Sequence, residues 1–363
     1  MKNIKHVELF AGIGGFRQGI DLFAKDNSFN SICLGYSEFD KYAEETYCAN
    51  FDNTGVVSMG DIVEFNNDSK NLDKLGKFNV LTGGFPCQPF SSMGNKQGLA
   101  DERGNLFYEI VKIIKAKNPK IVLLENVRNF KNHDDGNTFK TVRRILEKDC
   151  GYSFYSDVFN TANFGLPQDR RRVYMLAIKN GTNKNFEFTQ EGVLEEFQNM
   201  QKENSLHKYK TTKSLLSKKV DEKYYLSEKI KKTILSTGTG GFYAKPEINK
   251  ATARPLTATM VKMHRAGQDN YFSDEYIDSK IKAAKQYENF VVPKNKYSKY
   301  NIRKITPLEG LLLQGFDKSF YKSAKESQVS DTQLYKQIGN AVSVNVVYAI
   351  FNFLKIKQVG IFK

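Results

Sequence analysis

Residues 1–180 alternate short apolar runs with amphipathic stretches, and this alternation restricts the fold more than any other feature of the sequence. In one such stretch Leu106, Ile110 and Ile113 recur at a spacing of three or four residues, which gives a helix one buried face. Apolar runs of strand length lie before and after it. Strand–helix alternation of this kind is typical of βαβ units, so it predicts an α/β fold with a mostly parallel, doubly wound sheet.

The same pattern predicts where the elements begin and end. The predicted strands are His6–Phe10, Ser31–Ser37, Asn79–Thr82, Ile121–Leu124, Tyr152–Asn160 and Val173–Ile178. The predicted helices are Gly15–Ala24, Lys41–Asn50, Leu106–Ala116 and Thr138–Lys148, and helical periodicity returns in Leu308–Phe316 and Ala341–Leu354. Residues 181–300 lose the alternation but keep aromatic and aliphatic side chains, which favours a smaller, irregular second domain. We predict domains over 1–180 and 181–300, followed by a return segment over 301–363.

Composition excludes several classes of protein. The chain has 363 residues, of which 40% are hydrophobic, and it can therefore build a sizeable core. It has no apolar run of the roughly 20 residues that span a bilayer, and its first residues lack a signal-peptide stretch. The four cysteines form no CxxC pair, which argues against a disulfide scaffold or a structural metal site. We expect a reduced, cytoplasmic protein with no cleaved leader, no membrane and no metal.

Charge is distributed unevenly along the chain. Residues 1–200 hold 25 basic and 26 acidic side chains, whereas residues 201–310 hold 23 and 11, which gives that segment a net charge of +12. Lysine and arginine near phosphates gain free energy from counterion release. The distribution indicates a polyanionic partner for the second domain, although a lysine-rich solvated surface has the same composition.

A glycine turn follows the first predicted strand, in Leu9-Phe10-Ala11-Gly12-Ile13-Gly14-Gly15. Glycines let the backbone approach a ligand closely, and the N-terminus of the next helix offers free N–H groups to an anion. Glu38 ends the second strand, where a carboxylate receives ribose hydroxyls in dinucleotide-type folds. The turn fits NAD, FAD or S-adenosylmethionine, and a purely structural strand–helix turn remains an alternative.

Three further motifs carry reactive or charged side chains. Cys87 lies in a Gly-, Pro- and Ser-rich loop after a strand and is a candidate nucleophile, whereas the other cysteines fit buried apolar positions. Glu125 follows the apolar strand Ile121–Leu124, where partial desolvation favours a proton donor. Arg170 and Arg172 belong to a run of three arginines in a chain with 11 Arg and 44 Lys, and their planar forks can hold a carboxylate, a phosphate or a base carbonyl.

Taken in order, these motifs strongly resemble those of the DNA cytosine-5 methyltransferases, chiefly the bacterial restriction–modification enzymes. The resemblance runs from Val7 to about Val347 and ends with Gln337-Ile338-Gly339-Asn340-Ala341-Val342. It implies a Rossmann-like sheet that binds S-adenosylmethionine, and a target-recognition domain over 181–300. It also implies double-stranded DNA as partner, and with it we expect a monomer and a cognate restriction endonuclease that acts on the same site.

The resemblance assigns roles to individual residues. Cys87 would be the nucleophile, Glu125 would bind cytosine N3, and Arg172 would hold the cytosine carbonyl with Arg170 beside it. The cofactor would be held by Phe10, Gly12, Gly14, Glu38, Phe39, Asp61, Ile62 and Asn340, with Glu38 on the ribose, Asp61 on the adenine amino group, and Phe39 and Ile62 on either side of the adenine. DNA contacts would come from Gln88, Ser91 and Arg254. Leu308 departs from the family pattern, which usually has arginine there.

Other readings of the sequence explain less of it. A tRNA cytosine-5 methyltransferase of the same fold would share the motifs, but that branch usually has a second proline before the cysteine, where this chain has Phe85, and a Cys-Phe-Thr element that is absent here. A nicotinamide-dependent dehydrogenase would explain the glycine turn alone. A catalytically inactive DNA-binding protein is disfavoured because every catalytic position is filled.

Overall fold

The structure is a computed structural model that describes most of the chain. It covers residues 2–86, 106–179, 181, 186–200, 203–235, 247–260, 262, 264–265, 267–279 and 299–362. The predicted site residues Cys87, Gln88 and Ser91 lie outside the described residues, and the other predicted site residues lie within them.

A seven-stranded sheet with the order β3-β2-β1-β4-β5-β7-β6 forms the framework of the fold. Its strands are β1 (Asn3–Leu9), β2 (Asn30–Tyr36), β3 (Val57–Ser58), β4 (Val80–Gly84), β5 (Ile121–Val127), β6 (Tyr152–Asn160) and β7 (Arg171–Lys179). Neighbouring strands from β3 to β5 pair in parallel, whereas β7 pairs antiparallel with both β5 and β6. The predicted α/β class with a mostly parallel sheet is confirmed.

Helices follow the strands along the chain, as the sequence predicts. They are α1 (Gly15–Asp26), α2 (Lys41–Asn50), α3 (Ile62–Asn66), α4 (Ser69–Lys74), α5 (Leu106–Lys117), α6 (Asn137–Arg144), α7 (Gln190–Gln198), α8 (Glu228–Leu235), α9 (Asp274–Asp278), α10 (Pro307–Gln314), α11 (Lys318–Glu326), α12 (Asp331–Asn340) and α13 (Val344–Ile356). The helix predicted to begin at Ala341 begins at Val344, because Ala341 and Ser343 have extended backbones that separate α12 from α13. Two short strands, β8 (Tyr271–Ser273) and β9 (Ile302–Lys304), form a separate antiparallel pair.

The chain divides into two compact units, each built from separate segments. Unit 1 consists of residues 1–160, 171–206 and 342–363, and unit 2 consists of residues 161–170 and 207–341. Unit 1 holds the seven-stranded sheet, and unit 2 holds the β8–β9 pair and α8 to α12. The functional division predicted at residues 180 and 300 stays a prediction.

Helix α13 packs directly against α1 in unit 1. A Cβ added at Gly19 would lie 2.7 Å from Cβ of Val347, so the two helices approach more closely than a side chain at residue 19 would allow. Further along α1, the ring of Phe23 contacts the rings of Tyr348 and Phe351, with centroids 5.9 Å away in each case. An apolar helix from the C-terminal part of the chain therefore covers the first helix.

Unit 2 is held by a buried ion pair and a capped helix. Arg303 and Glu309 are fully buried and pair at 2.8 Å, and Thr306 and Glu309 form a capping box at the start of α10. Glu309 thus neutralises a buried guanidinium and caps the helix with one side chain. Leu308, the position that departs from the family pattern, is half-buried beside this arrangement.

Among the described residues, one stretch is long and apolar enough by composition to cross a membrane. It is Asp331–Ile356, which comprises α12 and α13, and 94% of its most apolar window is buried inside the protein. Burial of this kind is typical of core helices.

Candidate active site

The glycine turn after β1 adopts the left-handed backbone that its glycines allow. Gly12 and Gly14 have φ values of +54° and +81°, and Phe10 also has a positive φ, of +53°. A left-handed backbone is uncommon for a phenylalanine and is tolerated only where surrounding contacts impose it. Here the N–H of Phe10 donates to Ser37 Oγ at 3.1 Å, and the N–H of Ala11 donates to the Ser37 carbonyl at 2.8 Å.

Glu38 joins the turn to the end of β2. Its Oε2 accepts a hydrogen bond from the Gly12 N–H at 2.7 Å, and its Oε1 accepts one from the Asp40 N–H at 2.8 Å. Burial raises the pKa of this carboxyl above its ordinary value, and the two N–H groups oppose that rise. The structure thus brings together Gly12 and Glu38, two of the predicted cofactor residues. A Cβ at Gly12 would meet no described atom within 4 Å, so the turn faces open space there.

Phe39, Asp61 and Ile62 flank this region in different ways. Phe39 is 82% exposed, which is unusual for a large apolar side chain and leaves its ring available for stacking. Asp61 caps α3, and its Oδ1 accepts from the Val63 N–H at 2.8 Å. Ile62 is buried in the core of unit 1. Their roles around an adenine ring stay predictions.

Glu125 and Arg172 meet on neighbouring strands of the sheet. Glu125 is the fifth residue of β5 and is 7% exposed, and Arg172 Nε lies 3.0 Å from its Oε1. Glu125 lies opposite Gly84, the last residue of β4, and a Cβ at Gly84 would lie 3.4 Å from Glu125 Oε2. The carboxylate of Glu125 therefore lies beside the last residue of β4. Cys87 follows that residue by three positions in the sequence.

Asn126 is a residue of this region to which the sequence analysis gave no role. Its Nδ2 donates to the Phe85 carbonyl at 2.9 Å, and its Oδ1 accepts from the Val127 N–H at 2.8 Å. The ring of Phe85 packs against Phe130, with centroids 5.4 Å apart. Asn126 and Phe130 thus fix the backbone and the side chain of Phe85. The only sequence signal for this role is that an amide follows the glutamate directly.

Arg170 and Arg172 bind different groups. Arg170 is 1% exposed, and its guanidinium donates to the carbonyls of Leu256, Gly339 and Ala341 at 2.9–3.1 Å. All three acceptors belong to unit 2, as does Arg170 itself. Three carbonyls from two segments, around residue 256 and at the end of α12, are thus held by one side chain, a task that suits the planar fork of arginine. A catalytic role for Arg170 stays a prediction.

Two other predicted site residues also lie in unit 2. Arg254 is largely buried, donates to the Glu247 carbonyl at 3.0 Å and lies 3.4 Å from the Glu247 carboxylate. Asn340 is exposed at the last position of α12. Their roles in binding DNA and cofactor stay predictions.

Comparison with known families decides the class of protein. The family model described as C-5 cytosine-specific DNA methylase matches residues 4–356. This chain belongs to that family. The methylase is therefore an enzyme that methylates cytosine in DNA at C5, as the motifs predicted, and the family and fold imply S-adenosylmethionine-dependent transfer.

Bacterial Type II methyltransferases are similar to the methylase over nearly its whole length. M1.ScrFI of Lactococcus lactis subsp. cremoris is 36% identical, over 95% of this chain and 76% of the relative. M.HaeII of Haemophilus aegyptius is 36% identical over 96% and 92%, and M.HhaI of Haemophilus parahaemolyticus is 31% identical over 97% and 94%. The predicted kinship with restriction–modification enzymes is confirmed.

Solved structures support the fold of the methylase. The Dnmt2 methyltransferase of S. pombe superposes with a TM-score of 0.70 at 23% identity and covers 97% of this chain and 99% of its own. The Entamoeba histolytica methyltransferase EhMeth gives 0.68 at 19% identity, over 98% of both chains. At these identities the similarity establishes the methyltransferase fold alone.

Proposed function

We propose that the methylase transfers a methyl group to C5 of a flipped cytosine in a specific double-stranded DNA sequence, through a covalent bond between Cys87 and C6 of the base. The ion pair of Glu125 and Arg172 beside Gly84 carries this proposal. It holds a carboxylate and a guanidinium together at the end of the strand that precedes the nucleophile in the sequence. A cytosine offers a ring nitrogen to the carboxylate and a carbonyl oxygen to the guanidinium, which matches these two groups.

Cys87 would activate the base by addition. C5 of cytosine is too weak a nucleophile to take a methyl group directly. The Cys87 thiolate forms a bond to C6, and the electrons of the C5–C6 double bond are then available at C5 as an enamine. The addition shifts electron density to N3, which becomes protonated. Glu125 stabilises that proton by a hydrogen bond. Free thiols titrate near pH ~8.5, so the thiolate needs local help, and we propose that Arg172 supplies it.

The return of the base to aromaticity requires the loss of two protons, the C5 proton and the proton that N3 gained during the addition, which Glu125 accepts. Once C5 bears both its hydrogen and the new methyl group, a base removes the C5 proton. The electrons of that C–H bond restore the C5–C6 double bond, the C6–S bond breaks, and Cys87 leaves as thiolate. Its release regenerates the free enzyme.

The glycine turn and Glu38 fit S-adenosylmethionine. When bound, this cofactor supplies a methyl group activated by a sulfonium sulfur. The open space at Gly12, the half-buried carboxylate of Glu38 and the exposed ring of Phe39 suit a ligand with a ribose and an adenine ring. We infer that Glu38 binds the ribose hydroxyls, that Phe39 and Ile62 flank the adenine and that Asp61 binds its amino group. Phe10, Gly14 and Asn340 complete the proposed site.

DNA would be bound chiefly by the basic part of the chain. A base stacked inside a duplex cannot be reached by a nucleophile that attacks C6, so the cytosine must leave the stack. We propose that Gln88 and Ser91 contact DNA near the flipped base and that residues 181–300, with Arg254, read the sequence. The net charge of +12 over residues 201–310 would supply phosphate contacts, and it makes DNA binding sensitive to salt.

Purified protein tests the substrate class. Labelled S-adenosylmethionine is supplied with DNA, with tRNA or with neither, and label is followed in the nucleic acid. We expect transfer to double-stranded DNA alone. Transfer to tRNA in preference to DNA would overturn the proposal in favour of a tRNA methyltransferase of the same fold.

The covalent step is tested by replacing the nucleophile. Cys87→Ser should abolish transfer while leaving the Kd for S-adenosylmethionine within about twofold, because the cofactor residues are unchanged. DNA containing 5-fluorocytosine should trap the wild-type enzyme in a stable complex and should not trap the variant, since fluorine at C5 cannot leave as a proton does. Cys48→Ser, at an exposed cysteine of α2, is the matched control. Normal turnover by Cys87→Ser would refute the mechanism.

The recognised sequence and the partners can be found in cells. Bisulfite sequencing of DNA from bacteria that express the methylase would give the site and the modified cytosine. We further propose that the protein acts as a monomer in the bacterial cytoplasm and protects DNA from a restriction endonuclease with the same specificity. Gel filtration tests the first statement, and digestion of the methylated DNA by candidate endonucleases tests the second.

A further inference from the structure

Arg17 is a buried cation of unit 1 for which the reaction described above has no role. It lies in the first turn of α1, directly after the glycine turn, and is 7% exposed. Burying a guanidinium is costly unless its donors find acceptors and its charge is balanced. The partners of Arg17 therefore indicate what the protein uses it for.

The guanidinium of Arg17 binds the segment that follows α2. It donates to the Asp52 carbonyl at 2.6 Å and to Asn53 Oδ1 at 2.8 Å, and it also donates to Tyr47 Oη at 3.1 Å. On its own helix it lies 3.7 Å from the Asp21 carboxylate. Three hydrogen bonds from the two terminal nitrogens of one fork thus fasten Tyr47 of α2, and Asp52 and Asn53 beyond it, to α1.

Two aromatic rings lie under the same guanidinium. The Cζ atom of Arg17 is 4.6 Å from the ring centroid of Phe51 and 5.5 Å from that of Tyr47. Both distances are within the range of cation–π attraction. Arg17 therefore fixes both rings from their faces as well as through the Tyr47 hydroxyl.

The same rings press on the glycine turn. A Cβ added at Gly14 would lie 2.3 Å from Cε2 of Phe51 and 3.0 Å from Cε2 of Tyr47, so the rings occupy the space beside this residue. Gly14 has a φ of +81° and is the N-cap of α1. The rings fixed by Arg17 are thus the surface against which the turn is packed.

We propose that Arg17 is a positioning residue for the cofactor turn. By holding Phe51 and Tyr47 against Gly14, it keeps residues 10–14 in the conformation that directs the Gly12 N–H to Glu38 and leaves Gly12 open to ligand. The inference rests on the proposed function, because it assumes that this turn binds S-adenosylmethionine. It adds a residue that touches neither cofactor nor DNA yet determines how well the cofactor binds.

Calorimetric titration with S-adenosylmethionine tests the proposal. Arg17→Met should raise the Kd per folded molecule, and the KM for S-adenosylmethionine, about tenfold, the size expected when contacts that support a binding site are lost. The KM for DNA should change by less than about twofold. Arg17→Lys should recover only part of the loss, because it keeps the charge without the fork. Arg143→Met, at an exposed arginine of α6, is the control for loss of one positive charge.

A double-mutant cycle separates positioning from general stabilisation. Phe51→Leu removes the ring that faces Gly14, and it should weaken cofactor binding to a similar extent. If Arg17 acts through that ring, the double variant should bind about as well as Phe51→Leu alone. The proposal would be overturned if the increase in Kd of the double variant equalled the product of the two single increases. An unchanged Kd in folded Arg17→Met would also overturn it. If Arg17→Met does not fold, an unchanged Kd for S-adenosylmethionine in Phe51→Leu would overturn the proposal.

The two proposals fail in different ways. Wild-type protein that does not bind S-adenosylmethionine would refute the proposed cofactor site. Wild-type protein that binds it, together with folded variants that bind it equally well, would refute the role of Arg17 alone.

Discussion

Arg172 donates from Nε toward Oε1 of Glu125 at 3.0 Å, across the antiparallel strands β7 and β5. The two residues are diagonal neighbours, because Arg172 lies opposite Val127 and Glu125 lies opposite Tyr174. Side chains in such positions reach each other without distortion of the ladder. The sheet itself therefore orients the carboxylate that would bind cytosine.

Replacing Arg172 should impair the chemical step. Arg172→Met leaves Glu125 largely buried without the cation beside it and removes the proposed donor to the base carbonyl, so kcat should fall about a hundredfold or more. Single-turnover methylation at saturating S-adenosylmethionine and DNA measures this. Arg172→Lys should restore little, because it lacks the planar fork. Arg143→Met should turn over normally, and a loss confined to the KM for DNA would show that Arg172 serves binding instead.

Replacing Glu38 should affect the cofactor rather than the DNA. Glu38→Gln keeps the shape of the side chain but removes its charge and one acceptor, which weakens both the hydrogen bond to Gly12 and the proposed bonds to ribose. We expect the KM for S-adenosylmethionine to rise about tenfold, with kcat at saturation changed little. Steady-state kinetics with each substrate varied in turn checks this. Glu64→Gln, at an exposed glutamate of α3, should have no effect.

Replacing Arg170 should loosen unit 2. Arg170→Met leaves the carbonyls of Leu256, Gly339 and Ala341 without this donor, and the free energy of opening nearby amides should fall by about 3 kcal/mol. Hydrogen exchange followed by mass spectrometry would locate the change in α12 and around residue 256. Unchanged exchange there, combined with loss of turnover, would favour the catalytic role that the sequence motif implies.

Glu8 should make stability depend on pH between 4.5 and about 8. Burial raises its pKa from 4.5 to about 8, and Arg17 and the Phe16 N–H only partly oppose this. Between these two values the folded protein keeps a proton that the unfolded chain releases. The free energy of unfolding should therefore fall as pH rises through this window, by up to about 1.4 kcal/mol per pH unit.

His6 restricts where the effect of Glu8 is visible. Burial lowers the pKa of His6 from 6.5 to about 3, so its contribution to stability is lost as pH falls through that range. The two slopes oppose each other between pH 4.5 and 6.5, and Glu8 acts alone between 6.5 and 8. Urea titrations should show a decline there in wild type and in Glu64→Gln, and a flatter profile in Glu8→Gln. An equal decline in Glu8→Gln would assign it to another group.

The longer strands of unit 1 could be predicted because each is an apolar run of strand length, and β5 and β7 are buried along most of their length. The run predicted as Tyr152–Asn160 has the bounds of β6, and α2 has its predicted bounds as well. By contrast, β3 has only two residues, α3 has five, and α4 is short and polar, so neither periodicity nor length marked them. Short elements of this kind form through contacts with their neighbours rather than through local preference.

The candidate site could be predicted in part, because some of its residues lie in recognisable motifs. Gly12, Glu38 and Glu125 lie in motifs whose residue types suggest their chemistry. Ser37 and Asn126 act through hydrogen bonds to backbone atoms, which leave little mark on a sequence. The carbonyls that Arg170 binds lie 86 to 171 residues away along the chain, so no local pattern could show that its guanidinium is used within unit 2.

The packing of α13 on α1 determines how late in synthesis unit 1 can be completed. Helix α1 follows the glycine turn near the start of the chain, yet the helix that covers it ends at residue 356. A ribosome must therefore translate as far as residue 356 before α13 can cover Gly19 and Phe23. Until then a nascent chain carries an uncovered apolar face of α1, which favours aggregation and chaperone binding.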